Sequence, residues 1–102
     1  MTTQDILDVL VSERKYQKRR WGFRQPDGSF EESKRTVGEY MVYMQDYLTE
    51  AFHAAAREEG DYPALDVLRK VVALGVRCFE EHGVPSRDLL LPVINARDGL
   101  EA

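Results

Sequence analysis

Asp46 and Glu50 stand four residues apart and Glu39 lies seven before Asp46, so on a helix all three fall along one line. Two carboxylates one turn apart can hold a hard divalent cation such as Mg²⁺, which takes oxygen ligands and usually keeps several waters. His53 and Arg57 extend the line, and Tyr40, Tyr43 and Tyr47 lie beside it, towards the apolar stripe. The competing reading is a solvated surface, because the acidic line is opposite Met44 and Leu48, with His53 an exposed partner for Glu50 or Arg57. Three tyrosines beside two carboxylates are more than a solvent-facing side requires.

A second chemistry-bearing stretch is Glu13-Arg-Lys-Tyr-Gln-Lys-Arg-Arg-Trp21-Gly22. Upstream, Ile6, Val9 and Leu10 mark a helix face expected to pack inward. At about 100° per residue, Glu13 and Gln17 continue the stripe of Ile6 and Leu10. A carboxylate and an amide on a buried face need partners. Either the helix projects past the core and its last turns are wet, or a polar site sits at its end with Trp21 as a stacking surface.

The elements expected to position these residues are all helical. A first helix starts at Thr2 or Thr3, either of which can cap it, and runs to about Trp21. Residues 22–35, with Pro26, Asp27-Gly28 and Ser29, form a turn-rich connection, long for a link between packed helices. Thr36 and Glu39 fit a capping box opening a second helix, Val37 to about Glu58, with its apolar stripe at Val37, Met41, Met44, Leu48, Phe52 and Ala55. Gly60 and Asp61 end it and cap a third, which Gly83 and Pro85 stop. So short a link makes helices two and three antiparallel neighbours. Helix three carries a main stripe through Ala64, Leu65, Leu68, Val71, Val72, Gly75, Val76 and Phe79, and a second side at Val67, Leu74 and Cys78. So broad an apolar arc is expected to be buried on several sides, most simply in a homodimer or homotetramer. The fold class expected is therefore all-α: an antiparallel bundle of three main helices plus a C-terminal tail, completed by oligomerisation. Residues 1–87 form the helical domain. Residues 88–102, with Leu89-Leu90-Leu91-Pro92-Val93-Ile94, form a partly apolar tail expected to dock on the domain or on a partner subunit.

At 102 residues the chain suits one domain, and 43% hydrophobic with 31% charged residues is the balance of a folded globular protein. A net charge of −4 argues against general nucleic-acid binding. The cluster Arg14, Lys15, Lys18, Arg19 and Arg20 is local and could serve a small anionic ligand. The single Cys78 excludes an intrachain disulfide and reads as a buried thiol in a reducing compartment. No apolar run approaches the ~20 residues that span a bilayer, and no signal-peptide pattern opens the chain. A cytoplasmic protein with no membrane partner is expected.

The Glu13-to-Gly22 stretch, together with Val37-Gly-Glu-Tyr-Met-Val-Tyr-Met-Gln-Asp-Tyr-Leu-Thr-Glu50-Ala and Leu68-Arg-Lys-Val-Val-Ala-Leu-Gly-Val-Arg-Cys-Phe-Glu-Glu-His-Gly83-Val-Pro, resembles the three helices of phage-type MazG-like proteins, in the same order and over roughly residues 6 to 87. The resemblance implies an all-α nucleotide pyrophosphohydrolase, dimeric or tetrameric. Such an enzyme uses Mg²⁺ to cleave an NTP or dNTP between its α and β phosphates, releasing NMP and pyrophosphate. Carried over, Asp46 and Glu50 would be metal ligands with a catalytic role, Glu13 and Gln17 would line the pocket, Trp21 would contact the base and Lys18 would face phosphates, with Tyr43 beside them.

The sequence departs from that family's pattern of a Glu-x-x-Glu pair on helix two and a Glu-x-x-Asp pair on helix three. Tyr47 stands where the first Glu would be. Val67 and Lys70 occupy the second pair, leaving Asp66 as the nearby acid. Asp46 could substitute by a one-residue shift, with Glu39 or Asp66 contributed across an interface. Lys70 could instead fill the place of a cation and neutralise Asp46 or Glu50. Two expectations follow: a divergent Mg²⁺-dependent pyrophosphohydrolase, or a catalytically inactive relative that binds a nucleotide or a protein partner.

Overall fold

The computed structural model describes residues 1–57 and 60–88, as three helices and one small hairpin: α1 (Thr3–Trp21), β1 (Phe23–Arg24), β2 (Phe30–Glu31), α2 (Val37–Arg57) and α3 (Tyr62–His82). The expected docking of the tail falls on residues 89–102, outside the described ones.

Local chemistry sets the boundaries. Thr2 caps α1 through a reciprocal box with Asp5, each side chain taking the other's backbone N–H at 3.1 and 2.9 Å. Thr36 and Glu39 build the same box at α2, with Thr36 N–H donating to Glu39 Oε1 at 2.9 Å and Glu39 N–H donating to Thr36 Oγ1 at 3.1 Å. Asp61 occupies the cap position of α3, but its side chain makes no capping bond, and Pro63 fills the first turn instead. Gly83 ends α3 at φ +81°, its N–H bonded to Phe79 O.

Within the turn-rich connection the chain folds back on itself. β1 and β2 pair antiparallel, Phe23 opposite Glu31 and Arg24 opposite Phe30. Asp27 organises the tip by accepting from the Ser29 N–H and hydroxyl, and Gly28 takes φ +88°.

α3 is the central helix, packed against both α2 and α1. The start of α2 meets the end of α3 through Tyr40, Glu81 and His82, so these two helices are antiparallel, as expected. Their packing face is rotated from the one the apolar stripe predicts. On α2, Tyr40 and Ala51 are buried and Met44, Tyr47 and Ala54 half-buried, whereas Val37, Met41, Leu48, Phe52 and Ala55 are exposed. On α3 the side bearing Val67, Val71 and Cys78 is buried, and Leu65, Leu68, Val72 and Phe79 lie open. Gly75 explains part of the fit: a Cβ there would lie 3.4 Å from Met44 Cε, so the glycine lets the methionine seat between the helices.

α1 differs more sharply. Ile6 and Val9 are exposed and Leu10 half-buried, while Glu13, Arg14 and Gln17 are the buried residues of this helix. The contact between α1 and α3 is thus chiefly ionic. No helix among the described residues is long and apolar enough to cross a membrane.

Candidate functional site

Glu32, just past the hairpin, is the centre of a buried ionic cluster. Arg14 Nη2 reaches Glu32 Oε1 at 2.5 Å, and Arg77 Nε lies 3.2 Å from Glu32 Oε2. Arg14 also pairs with Glu80 at 2.8 Å and donates to the Gln17 side-chain oxygen at 3.1 Å. Burial alone would pull the Arg14 guanidinium down, but the hydrogen bonds to Glu80 and Glu32 outweigh it and hold Arg14 above the ordinary arginine value. Arg77 Nη2 donates to the Ser33 carbonyl at 2.8 Å, and its guanidinium lies 5.4 Å from the centre of the Tyr40 ring. The segment leading into α2 is therefore pinned from α1 and α3 at once.

The next residues of that segment are held as firmly. Arg35 N–H donates to Glu81 Oε1 at 2.9 Å, and the Arg35 carbonyl lies 2.6 Å from His82 Nε2. The Tyr40 hydroxyl donates to Glu81 Oε2. With its backbone fixed, Arg35 lays its guanidinium over the Tyr43 ring, 4.7 Å from the centroid, and donates from Nη1 to the Tyr43 hydroxyl at 3.0 Å. No carboxylate among the described residues lies within ion-pairing distance of Arg35.

Trp21, Arg35, Tyr40, Tyr43, Tyr47, Leu74 and Arg77 together line an open pocket of about 310 Å³. It combines stacking surfaces with the guanidinium of Arg35 and that of Arg77, the latter already paired with Glu32, and no acid lines it. That composition suits a planar, anionic ligand.

Of the residues the sequence singles out, Trp21 and Tyr43 come together here. Glu13 and Gln17 are buried but committed elsewhere: Glu13 pairs with Arg69 at 3.1 Å, and Gln17 accepts from Arg14. The polar stripe of α1 is buried as part of the helix's packing surface, and Glu13 also lines a small open pocket of its own with Val9, Ser12, Tyr16 and Arg69. Lys18 lines a separate groove with Leu7, Leu10 and Val76. Glu39 is occupied in the α2 cap, and Asp66 pairs with Arg69 at 2.7 Å. Asp46 and Glu50 are exposed on α2, and Lys70 forms no ion pair with either of them. The four candidate ligands Glu39, Asp46, Glu50 and Asp66 are not gathered, and among the described residues no group of three or more His, Cys, Asp or Glu could hold a metal ion.

Arg35, Arg77 and Glu32 are the residues the sequence reading missed. Arg77 carries a usable signal, a cation inside the apolar run Gly75-Val-Arg-Cys-Phe79. Glu32 and Arg35 carry none, since a charged residue in a loop is ordinary until the chain folds back.

The network sets a pH dependence. The Tyr40 hydroxyl, then the Arg35 N–H, hold the Glu81 carboxyl below its usual 4.5. A carboxyl depressed in the folded chain adds stability that is present above the unfolded value and lost as pH falls through the folded one. Tyr40 moves the other way, pushed up from 10.0 to about 12 by burial and by its bond to Glu81. Its contribution is full below pH 10 and lost as pH rises towards 12. Thermal melts from pH 3 to pH 11 should show stability falling at both ends, and Tyr40→Phe should flatten both arms relative to wild type. Equal slopes in the two proteins would remove Tyr40 and Glu81 from the account.

Comparison with protein families, with curated proteins and with solved structures finds no match for this chain.

Proposed function

We propose that this protein binds a nucleotide in the pocket formed by Trp21, Tyr43, Arg35 and Arg77. The observation that carries the reading is Arg35: a guanidinium held by backbone bonds at its own residue, stacked on Tyr43, and without a carboxylate partner. A cation outside every ion pair described, laid on the Tyr43 ring in a pocket that Trp21 also lines, offers phosphate recognition beside surfaces for base stacking. Stacking of a base on an aromatic side chain contributes about 1–3 kcal/mol, and a hydrogen bond to a charged group about 1.5–3 kcal/mol. The resemblance of the helix sequences to MazG-like proteins supports the same ligand class.

Trp21 is the chain's single tryptophan, so its fluorescence reports the pocket directly. Titration with NTPs and dNTPs should change that emission saturably, and Arg35→Ala should weaken binding about 10- to 100-fold. If no nucleotide alters the emission or the melting temperature, the proposal fails.

A second reading, a divergent Mg²⁺-dependent pyrophosphohydrolase releasing NMP and pyrophosphate, is favoured by one observation. Asp46 and Glu50 stand exposed, one turn apart, and outside every ion pair described, on the helix that supplies Tyr43 and Tyr47 to the pocket. Two carboxylates do not suffice for a two-metal centre. They fit a single Mg²⁺ carried in on the phosphates, the ion then supplying charge neutralisation. In that reading pyrophosphate release requires Mg²⁺ and disappears in Asp46→Ala and in Glu50→Ala. Binding without turnover across NTPs and dNTPs leaves the non-catalytic reading alone.

A further inference from the structure

We propose that the outward side of the C-terminal half of α1, with the hairpin that follows it, binds single-stranded nucleic acid: Lys15, Lys18, Arg19 and Arg24 take the phosphates, and Tyr16 and Phe23 take the bases.

The net charge of −4 conceals a strong polarity. Residues 14–35 hold eight of the chain's fourteen Lys and Arg but three of its eighteen Asp and Glu, a local +5 that leaves −9 for the rest. The fold occupies all three acids. Glu32 lies in the buried cluster with Arg14 and Arg77, Asp27 holds the hairpin tip, and Glu31 accepts from the Gln25 amide at 2.9 Å. Lys15, Lys18, Arg19 and Arg24 are exposed and outside every ion pair described.

The cations share one side. At about 100° per residue, the packing side of α1 (Glu13, Arg14 and Gln17) is opposite an arc of Lys18, Lys15, Arg19, Tyr16 and Arg20. The hairpin stays at the end of that arc, because β2 packs on α1 and a Cβ at Gly22 would stand 3.0 Å from the Glu31 carbonyl oxygen.

Three rings stand among these cations: Tyr16 and Trp21 are each 59% exposed and Phe23 61%. Arg20 lies over the Trp21 ring at 4.7 Å, and Trp21 lines the pocket, so Tyr16 and Phe23 are the rings open to a strand. Cations that neutralise phosphates beside rings that stack unpaired bases are the two elements of single-strand recognition. Compensation of the α1 dipole accounts for cations in the last turn alone. It leaves Lys15 and Arg24 without a role. A bilayer surface takes a continuous apolar face, whereas here the rings come singly, each next to a cation in the chain.

The test is fluorescence anisotropy of labelled single strands of about 20 nucleotides, DNA and RNA, titrated with the full chain. The expected result is saturable binding whose log affinity falls with log salt, between about 50 and 200 mM, at a slope near −3, four cations at about −0.7 each. The triple variant Lys15→Gln, Arg19→Gln, Arg24→Gln should flatten the slope to about −1. Arg57→Gln with Arg87→Gln, exposed cations outside the patch, should leave it near −3. Phe23→Ala should weaken the strand about 10-fold. The inference does not rest on the pocket, and the triple variant should bind mononucleotides as wild type does. Should the variants unfold, the wild-type salt series and a duplex of the same sequence decide. No binding to either strand at about 100 µM protein and low salt overturns the proposal. So does a duplex bound as tightly as the single strand, or a slope unchanged in the folded triple variant. Binding to phosphatidylserine vesicles with none to the strands assigns the surface to a membrane instead, and that also overturns it.

Discussion

Replacing Glu32 with Ala is expected to cost about 3–5 kcal/mol, the range for breaking a buried ion pair by removing one partner. The carboxylate and the two guanidinium groups it joins are each about one-tenth exposed, so deletion leaves buried cations rather than solvated ones. Arg14 would retain Glu80, and Arg77 would retain the Ser33 carbonyl and the Tyr40 ring, which places the expected loss near ~3 kcal/mol. Against the 5–15 kcal/mol that holds a typical domain together, this is a large fraction. Glu32→Gln keeps an acceptor oxygen and should fall between wild type and Glu32→Ala. The triple variant Arg14→Met, Glu32→Leu, Arg77→Met removes the charges together and should recover most of the loss, because a buried ionic cluster gains little over well-packed apolar groups. Urea denaturation of the four proteins measures all of this. A Glu32→Ala protein within about 0.5 kcal/mol of wild type would show that water screens the cluster.

The consequence for function runs through the chain's connectivity. Glu32 and Arg35 share one short segment, pinned at Glu32 and Ser33 by Arg14 and Arg77, and at Arg35 by Glu81 and His82. The cluster that joins α1 to α3 is therefore also the scaffold of the pocket. Glu32→Ala should loosen ligand binding through Arg35 even though Glu32 itself does not line the pocket.

Local grammar in the sequence was sufficient for what depends on local chemistry. The Thr36–Glu39 box, the Gly60 and Gly83 stops and the antiparallel order of α2 and α3 were all legible, because each is fixed within a few residues. What periodicity could not supply was the direction each helix faces. The stripe from Val37 to Phe52 is more apolar than the side bearing Tyr40, Tyr47 and Ala51, yet the latter packs on α3. Tyr40 can both fill space and bond Glu81, and Ala51 lets the helices approach. Most of the stripe itself is left exposed. The same limit applies to α1: Glu13 and Gln17 are buried while Ile6 and Val9, expected to share their inward face, are exposed, and the partners Arg69 and Arg14 cannot be chosen from spacing. Arg35 was invisible for a related reason. Its role depends on the β1–β2 hairpin, two residues per strand, which has too short a pattern to read.

Gly22 joins these points, because it is required by space and not by backbone angle. Its φ of −83° is open to any residue. A Cβ there, however, would stand 2.3 Å from the Lys18 carbonyl oxygen and 3.0 Å from that of Glu31. Both obstacles are backbone, one on α1 and one on β2, so neither can rotate away. Gly22→Ala must push the hairpin off the end of α1, at about 1–3 kcal/mol by analogy with overpacked sites. Trp21 precedes Gly22 directly and lines the pocket, so its emission should shift and nucleotide affinity should fall together with stability. Gly28→Ala is the matched control: φ there is +88° with nothing within 4 Å of the new methyl. Its cost is conformational, about 1–2 kcal/mol, and it arises at the hairpin tip. Gly28→Ala should therefore lower stability while leaving Trp21 emission and nucleotide affinity at wild-type values. If Gly22→Ala behaves like Gly28→Ala in all three measurements, the close approach of β2 to α1 is not what positions Trp21.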